Sequence, residues 1–233
     1  MQIHVITAFP KTFHGFLDES ILKRAIKSSA VEIILHNIRD HAIGKHLQID
    51  DYPYGGGAGM ILKPEPIFSC LKDVREKYKL ENVKVTLLTP VGQAYEQKKA
   101  VELSLRDSLI LLCGHYKGID QRVIDELVDE EISIGDFVVT GGEVPAMCII
   151  DSVIRLLPGV IGDIDSAITD SFQTGLLDHP HYTRPEKFRD KSVPKVLLSG
   201  NHAAIEKWRS EQSIDITQKL RQDLYQKYLD LEK

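Results

Sequence analysis

The sequence has few cysteines and no long apolar run, and these absences narrow the classes of protein that it can represent. Its 233 residues include only Cys70, Cys113 and Cys148. An odd, scattered set offers neither a disulfide framework nor the paired spacing of a zinc site, and we expect three buried, reduced thiols. No apolar run approaches the ~20 residues of a membrane span, and no basic segment precedes the first predicted strand, as it would in a signal peptide. The sequence therefore predicts a cytoplasmic protein with no membrane partner.

Two common nucleotide-binding motifs are also missing. A dinucleotide-dependent oxidoreductase carries GxGxxG directly after its first strand, but here Phe9-Pro10-Lys11 follows that strand. The glycine-rich segment 55–59 is not followed by Gly-Lys-Ser/Thr, so it is not a phosphate-binding P-loop. The first absence argues against an oxidoreductase, and the second argues against a phosphate-binding role for this segment.

The net charge of −5 conceals an uneven distribution of charge. Residues 175–233 carry 11 Lys and Arg against 9 Asp and Glu, whereas residues 1–174 carry 18 against 25. A basic segment on an acidic body can form a phosphate-binding surface. A solvated surface is the more common explanation of such an imbalance. Charge alone therefore leaves both a nucleic-acid partner and an ordinary surface open.

Strand-like and helix-like segments alternate as far as about residue 157. This alternation predicts an α/β domain with a largely parallel sheet. The predicted strands are 1–9, 31–38, 83–88, 108–113 and 132–139. The predicted helices are 11–27, 65–79, 93–105, 119–128 and 143–157, followed by 203–210 and 216–231. We place one domain at 1–160, a linker at 161–174 and a helical domain at 175–233.

Three of the predicted strands end in segments rich in glycine or proline, namely 89–92, 113–118 and 134–142. Ligands of open α/β sheets bind beyond the carboxyl ends of the strands. Glycine lets the backbone approach a flat ligand closely and offer its N–H and C=O groups. Ordinary turns would explain any one of these segments. Their convergence at one sheet edge predicts a small-molecule site.

Two charged residues stand out near the end of the first predicted domain. Arg155 lies in the predicted helix 143–157 and Asp170 in the linker. A carboxylate and an arginine beside one ligand can remove a proton and stabilise the negative charge that develops. The alternatives are an arginine favoured at a helix C-terminus and a capping aspartate.

Several longer motifs occur in a fixed order along nearly the whole chain. They are PYGGGAGM at 53–60, LLCGHYKGIDQRV at 111–123, SIGDFVVTGGEVPAM at 133–147, the run from DSVIRLLPGV at 151 into SAITDSF at 166–172, GLLDHPHYTRP at 175–185 and VLLSGNHAAIEKWR at 196–209. Together they resemble the bacterial tRNA (guanine-N1) methyltransferase family, of the SPOUT class. The resemblance implies an α/β domain with a trefoil knot through 86–142, a small helical tRNA-binding domain, and a homodimer whose active sites cross the interface. It also implies methyl transfer from S-adenosylmethionine to N1 of guanosine 37 in tRNAs with G at position 36.

The resemblance also assigns roles to individual residues. Asp170 matches the general base that takes the N1 proton, and Arg155 matches the residue that stabilises the charge on O6. The implied contacts of the methyl donor are Thr89, Pro90, Gly92, Gly114, Tyr116, Ile134, Gly135, Asp136, Phe137, Val138, Val139, Gly141, Gly142 and Pro145. The implied contacts of the tRNA are Gly55, Gly56, Gly57, Gly59, Met60, Ser166, Asp178, His181, Arg184, Asn201, His202 and Arg209. Trp208 is expected to pack in a core rather than to stack on a base.

Two residues depart from the pattern of this family. Lys117 stands where the family commonly has Glu, and His115 stands where it often has Arg. The resemblance implies a Mg²⁺ requirement that involves this Glu. A protonated lysine cannot ligate Mg²⁺, so the departure puts that requirement in question and leaves Mg²⁺ as an open cofactor, and we assign no metal ligands. Two further alternatives stay open, an RNA-binding protein that has lost catalysis and a knotted methyltransferase that acts on another nucleotide.

Overall fold

The computed structural model describes residues 1–44, 47–161 and 170–231. Its contacts divide the chain into two units, Met1–Gly162 and Asp163–Lys233, and each unit is described by itself. Ser166, one of the predicted tRNA contacts, lies outside the described residues. Among the helices of the described segments, none has the length and apolar character that a membrane span requires.

A five-stranded sheet forms the centre of the first unit. Its strands are β1 (Gln2–Thr7), β2 (Glu32–Asn37), β5 (Val85–Ala94), β6 (Ser108–Cys113) and β7 (Glu130–Ser133). They lie in the order β2-β1-β6-β5-β7, and every neighbouring pair is parallel. The short strands β3 (Asp50–Asp51) and β4 (Ile61–Leu62) form a separate antiparallel pair. The predicted α/β domain with a mostly parallel sheet is confirmed.

Helices connect these strands and cover both faces of the sheet. They are α1 (His14–Leu17), α2 (Ser20–Lys27), α3 (Pro64–Tyr78), α4 (Gln97–Ser104), α5 (Gln121–Leu127) and α6 (Glu143–Ile154), with 3₁₀ turns at Pro10–Phe13 and Ile38–His41. Side chains alternate along β6, so that Leu109 and Leu111 join the core cluster containing α2, α4 and α6 residues. Ile110 and Leu112 join the cluster containing α3 and α5 residues. A strand buried on both faces has to be apolar throughout, which explains the sequence of β6.

Three segments differ from the sequence prediction. The single helix predicted over 11–27 is instead a 3₁₀ turn followed by α1 and α2. Ser20, at the start of α2, has a φ of 49° in the left-handed region, so the helix is not continuous across it. The strand predicted over 132–139 ends at Ser133, because Gly135 has a φ of 144° that an extended strand does not permit. The helix predicted from Gln93 begins only at Gln97, since Gln93 and Ala94 still pair with β7.

The cysteines also differ in part from expectation. Cys70 and Cys113 are buried as predicted, and burial raises the pKa of the Cys70 thiol to about 12. Cys148 is exposed on α6, so the expectation of a third buried thiol is wrong.

The second unit contains α7 (His202–Leu220), α8 (Gln222–Leu231), a hairpin of β8 (Lys187–Phe188) and β9 (Lys191–Ser192), and a 3₁₀ turn at Lys195–Leu198. The two helices predicted here divide at Arg221 rather than between 210 and 216. The Asn201 side chain caps α7 by accepting a hydrogen bond from the Ala204 N–H at 3.2 Å. The buried Thr217 hydroxyl accepts a hydrogen bond from the Leu177 N–H at 2.8 Å, which ties the segment before the hairpin to α7.

Candidate functional site

The first of the three predicted glycine-rich segments is a bulge in β5. Leu88 and Gln93 both pair with Ile132 of β7, so residues 89–92 project from the sheet edge. A Cβ atom on Gly92 would lie 2.7 Å from the Glu131 carbonyl oxygen and would also collide with the Ile132 nitrogen. Only glycine permits this close approach of β5 to the edge strand.

The other two segments lie directly against each other. The Gly142 N–H donates a hydrogen bond to the Gly114 carbonyl at 2.7 Å, and His115 forms an antiparallel bridge with Gly141. A Cβ atom on Gly142 would lie 2.7 Å from the Cα of Cys113 and 2.9 Å from the nitrogen of Gly114. The loops 114–118 and 134–142 therefore touch through their backbones, with no room for a side chain.

The three segments surround a cleft of about 480 Å³ at the carboxyl edge of the sheet. Twelve of the fourteen residues predicted to contact the methyl donor line it, namely Thr89, Pro90, Gly114, Tyr116, Ile134, Gly135, Phe137, Val138, Val139, Gly141, Gly142 and Pro145. Gly92 lines a neighbouring cleft beside β7, and Asp136 is exposed. The three glycine- or proline-rich segments therefore meet at one edge of the sheet, as the sequence predicted.

The cleft also has lining residues that the sequence did not assign to it. They include His115, Lys117 and Gln121. His115 and Lys117 flank the predicted contact Tyr116 in a loop bounded by glycines. Their position in the sequence could therefore have indicated that they also line the cleft. Burial and the neighbouring Asp50 carboxylate raise the pKa of Tyr116, which reaches from the cleft toward β3.

The chemistry of the lining does not fit a divalent cation. Among the described residues no aspartate or glutamate lines the cleft, whereas Mg²⁺ takes oxygen ligands and usually one or two carboxylates. Within the described segments the potential metal-ligand group is instead in the second unit, at Asp178, His179 and His181.

The glycine-rich segment 55–60 borders the same cleft loop. Lys117 donates its N–H to the Met60 carbonyl at 3.0 Å, and a Cβ atom on Gly59 would lie 2.8 Å from Cγ of Lys117. The turn at Gly55, Gly56 and Gly57 has φ values of 83°, 77° and 118°, with open space around each. Glycine is required there for its backbone conformation, and the loop stands exposed beside the cleft.

Comparison with known proteins gives one consistent result. A model of the family described as tRNA (Guanine-1)-methyltransferase TrmD matches residues 1–227. This chain belongs to that family. Curated relatives named tRNA (guanine-N(1)-)-methyltransferase include one from Clostridioides difficile strain 630, which is 50% identical over 97% of this chain and 98% of its own length. Others come from Listeria welshimeri, 51% identical over 98% and 93%, and from Anoxybacillus flavithermus, 54% identical over 98% and 93%.

The two residues with predicted catalytic roles lie in different units. Arg155 is half-buried at the C-terminal end of α6, and its N–H donates to the Asp151 carbonyl at 3.2 Å. Asp170 opens a turn of the second unit, in which its carbonyl accepts from the Gln173 N–H at 3.3 Å. The adjacent Ser171 hydroxyl accepts a hydrogen bond from the Asp178 N–H at 2.9 Å. Within the second unit, the residue next to the predicted base is therefore hydrogen-bonded to a predicted tRNA contact.

Part of the predicted tRNA surface is clustered in the second unit. The Asp178 carboxylate lies 2.8 Å from Nε2 of His181, and the rings of His179 and His181 are 4.5 Å apart. Trp208 is only half-buried, with its ring 6.2 Å from that of His179, so the expectation that it is a core residue is met only in part. The other predicted contacts of this unit are Arg184 and His202, which are exposed, Asn201, which caps α7, and Arg209, which pairs with Glu206 at 2.6 Å.

Proposed function

We propose that the protein transfers the methyl group of S-adenosylmethionine to N1 of guanosine 37 in tRNAs that have G at position 36. The observation that carries this proposal is the three-loop cleft in a chain of this family. The same family membership supports a trefoil knot through 86–142, and the backbone contacts between 113–115 and 141–142 are the part of that topology most relevant to the cleft.

The cleft suits a nucleoside-type methyl donor because backbone and apolar groups dominate its lining. Gly114, Gly135 and Gly141 let the backbone approach a flat ligand closely, and Leu87 and Val139 offer apolar surface to the faces of an adenine ring. The Gly114 and Gly135 carbonyls already accept from the Gly142 and Phe137 N–H groups, which holds these loops in place. When bound, S-adenosylmethionine would supply an electrophilic methyl group. The backbone loops would position that methyl group in line with the attacking nitrogen, and such positioning supplies much of the barrier reduction in reactions of this type.

The acceptor nitrogen has to lose a proton, and this step falls to the protein. N1 of guanine is protonated at neutral pH, so a base within hydrogen-bond reach is required. We assign Asp170 as the group that accepts the N1 proton, and Arg155 as the cation that stabilises the negative charge developing on O6.

The geometry of α6 supports an active site shared between two subunits. Pro145 near the start of α6 lines the cleft, and Arg155 caps its other end. Ten residues of helix separate them, and a rise of 1.5 Å per residue places them about 15 Å apart. An arginine side chain is too short to cover that distance. In a homodimer, Arg155 and Asp170 of one subunit would serve the cleft of the other.

We assign tRNA binding to the second unit and to the exposed 55–60 segment. Asp178 and His181 offer hydrogen-bonding groups to base edges, and the surrounding residues 181–192 are exposed and rich in lysine and arginine. Basic side chains supply the phosphate contacts that dominate nucleic-acid affinity, and a target base of a tRNA loop can be splayed out to reach the donor.

The first test is methyl transfer from labelled S-adenosylmethionine to tRNA transcripts with G37 or A37, with Mg²⁺ and with EDTA. We expect label on the G37 transcript only. Asp170→Asn should lower the single-turnover rate by about 10²–10⁴-fold, the usual contribution of a general base. Asp190→Asn, at an exposed aspartate of the same unit, is the matched control and should change little. Tight tRNA binding without transfer by the unmodified protein would instead favour a binding-only function.

A mixing experiment tests the shared site. Asp170→Asn removes the base, and Gly142→Ala removes the room on which the cleft depends. If the base serves the partner's cleft, a mixed dimer of the two variants has one intact site, and mixing should restore part of the activity. Activity that stays at the level of the separate variants, despite confirmed exchange of subunits, would place cleft and base in the same chain.

A further inference from the structure

A buried carboxylate links the first strand to two of the cleft loops. Glu143, the first residue of α6, is only 5% exposed. Its Oε1 accepts a hydrogen bond from the fully buried Thr7 hydroxyl at 2.6 Å, across 136 residues of sequence. Its Oε2 lies 3.5 Å from Nδ1 of His115. Glu143 therefore connects β1 to the loop that follows β6.

The space around this carboxylate is filled on the side that faces the cleft. A Cβ atom on Gly141 would collide with both Nδ1 of His115 and Oε2 of Glu143. Nδ1 of His115 is buried and makes no hydrogen bond within the described residues, and the ring packs on Phe9 with centroids 4.4 Å apart. Glu143, His115 and Gly141 thus hold each other at fixed distances, although only His115 and Gly141 line the cleft.

The location of this carboxylate calls for an explanation. Burying a carboxylate costs several kcal/mol unless hydrogen bonds or dipoles compensate. The Thr7 hydroxyl and the N-terminal end of α6 provide that compensation. An apolar residue would fill the same space without any such requirement, but it would not fix the position of His115 relative to β1.

We propose that Glu143 is a positioning residue for the methyl donor, which holds His115 and Gly141 in place so that the cleft exists before the donor binds. This inference rests on the proposed function of the cleft. Neither Glu143 nor Thr7 lines the cleft, so neither would touch a donor bound in it. A preformed site avoids the cost of ordering its loops when the ligand arrives. Loss of the tie should therefore weaken donor binding and leave the rate of the bound complex largely unchanged.

The structure offers a matched pair of substitutions for the test. Thr7→Val removes the hydroxyl that donates to Glu143 and that also accepts from the Phe9 N–H at 2.9 Å. Thr86→Val removes another fully buried hydroxyl, which donates to the Glu130 carboxylate at 2.7 Å. Neither Thr86 nor Glu130 lines the donor cleft. Both variants should lose similar thermal stability, but only Thr7→Val should weaken donor binding, by about tenfold, with kcat within about twofold of the unmodified protein.

Substitution of Glu143 itself gives a second readout that does not depend on the folding of one variant. Glu143→Gln keeps an oxygen that can accept from Thr7 and should retain most of the donor affinity. Glu143→Leu removes the acceptor and should behave like Thr7→Val. Both changes remove the Thr7–Glu143 hydrogen bond, and Thr7→Val also removes the acceptor of the Phe9 N–H. The Thr7→Val/Glu143→Leu double variant should therefore bind the donor no more weakly than Thr7→Val alone.

Calorimetric titration with S-adenosylmethionine and steady-state kinetics with a G37 transcript separate the possible failures. If the unmodified protein does not bind the donor, the proposed function is overturned, and this inference with it. If that protein binds the donor and methylates tRNA, but Thr7→Val and Thr86→Val change the donor Kd equally, the carboxylate is only structural. A drop in kcat with an unchanged donor Kd in Glu143→Leu would likewise overturn the positioning role.

Discussion

Substitution of Gly142 by alanine is the sharpest test of the cleft, because the contact that it disturbs is between two backbones. The φ of Gly142 is −72°, which alanine adopts readily, so any cost comes from contact rather than from backbone strain. The added methyl group would lie 2.7 Å from the Cα of Cys113 and 2.9 Å from the nitrogen of Gly114. Neither atom belongs to a side chain that could rotate away.

The size of the effect follows from these distances. Carbon atoms pack at about 3.5–4.0 Å, so a methyl group 2.7 Å from Cα of Cys113 forces the two loops apart by roughly 0.8 Å or more. The 2.7 Å hydrogen bond from Gly142 to Gly114 would then exceed the usual range of about 2.7–3.2 Å. Overpacking costs about 1–3 kcal/mol, and the lost hydrogen bond adds about 1 kcal/mol. A destabilisation of about 2–4 kcal/mol lowers Tm by roughly 4–16 °C in a domain of this length, at about 2–4 °C per kcal/mol.

Differential scanning fluorimetry and titration with S-adenosylmethionine measure the two consequences. We expect the lower Tm together with donor binding at least tenfold weaker, because the displaced loops form the cleft. Gly15→Ala is the control, since Gly15 lies in α1 and an added methyl group would meet nothing within 4 Å. An unchanged Tm and donor Kd in Gly142→Ala would refute the reasoning, because the loops would then separate without cost.

Two further predictions concern the dependence of stability on pH. Burial and the neighbouring His4 lower the pKa of His36 from 6.5 to about 4, so the folded state favours the neutral ring. The contribution of the neutral His36 ring to the free energy of unfolding is complete above pH 6.5 and is lost as the pH falls toward 4. His36→Gln should therefore make the free energy of unfolding, measured by urea denaturation, less dependent on pH between 6.5 and 4. Burial alone would raise the pKa of Glu130, but hydrogen bonds from Arg106, Lys99 and Thr86 lower it from 4.5 to about 2. That contribution is complete above pH 4.5 and is lost as the pH falls through about 2, so Arg106→Gln should move acid unfolding, followed by circular dichroism, to higher pH.

Local sequence patterns predicted the elements whose apolar residues follow a regular spacing or whose ends are marked by glycine or proline. Residues 108–113 form β6 as predicted, because a strand between two helical layers needs apolar side chains on both faces. Pro64 begins α3, where its fixed φ and missing N–H are tolerated. The glycine-rich segments at 89–92, 113–118 and 134–142 meet at one edge because parallel strands direct their carboxyl ends to the same side.

The remaining features depend on contacts that no local pattern contains. The bulge in β5 is set by its pairing with β7, which follows it by some forty residues. The side chain of Glu143 is paired with Thr7 beneath the cleft. The side chain of Glu130 is paired with Arg106, Lys99 and Thr86 beside the edge strand. The sequence around each glutamate gives no sign of these different partners. That difference appears only once the sheet order brings β1 next to β6 and places β7 at the edge.

Helix α6 joins the parts of the proposed mechanism that the sequence presents as separate motifs. Its first residue, Glu143, holds two cleft loops, Pro145 lines the cleft, and Arg155 caps the far end. Because its inner face is fully buried, through residues such as Ile149 and Val153, the helix is fixed in the core and cannot shift one end without the other. In the proposed dimer, the same rigid helix would therefore set donor binding in its own subunit and the position of the O6-stabilising arginine in its partner. On this proposal, a cleft and a cation about 15 Å apart on one helix would serve a single reaction through the assembly of two copies of the chain.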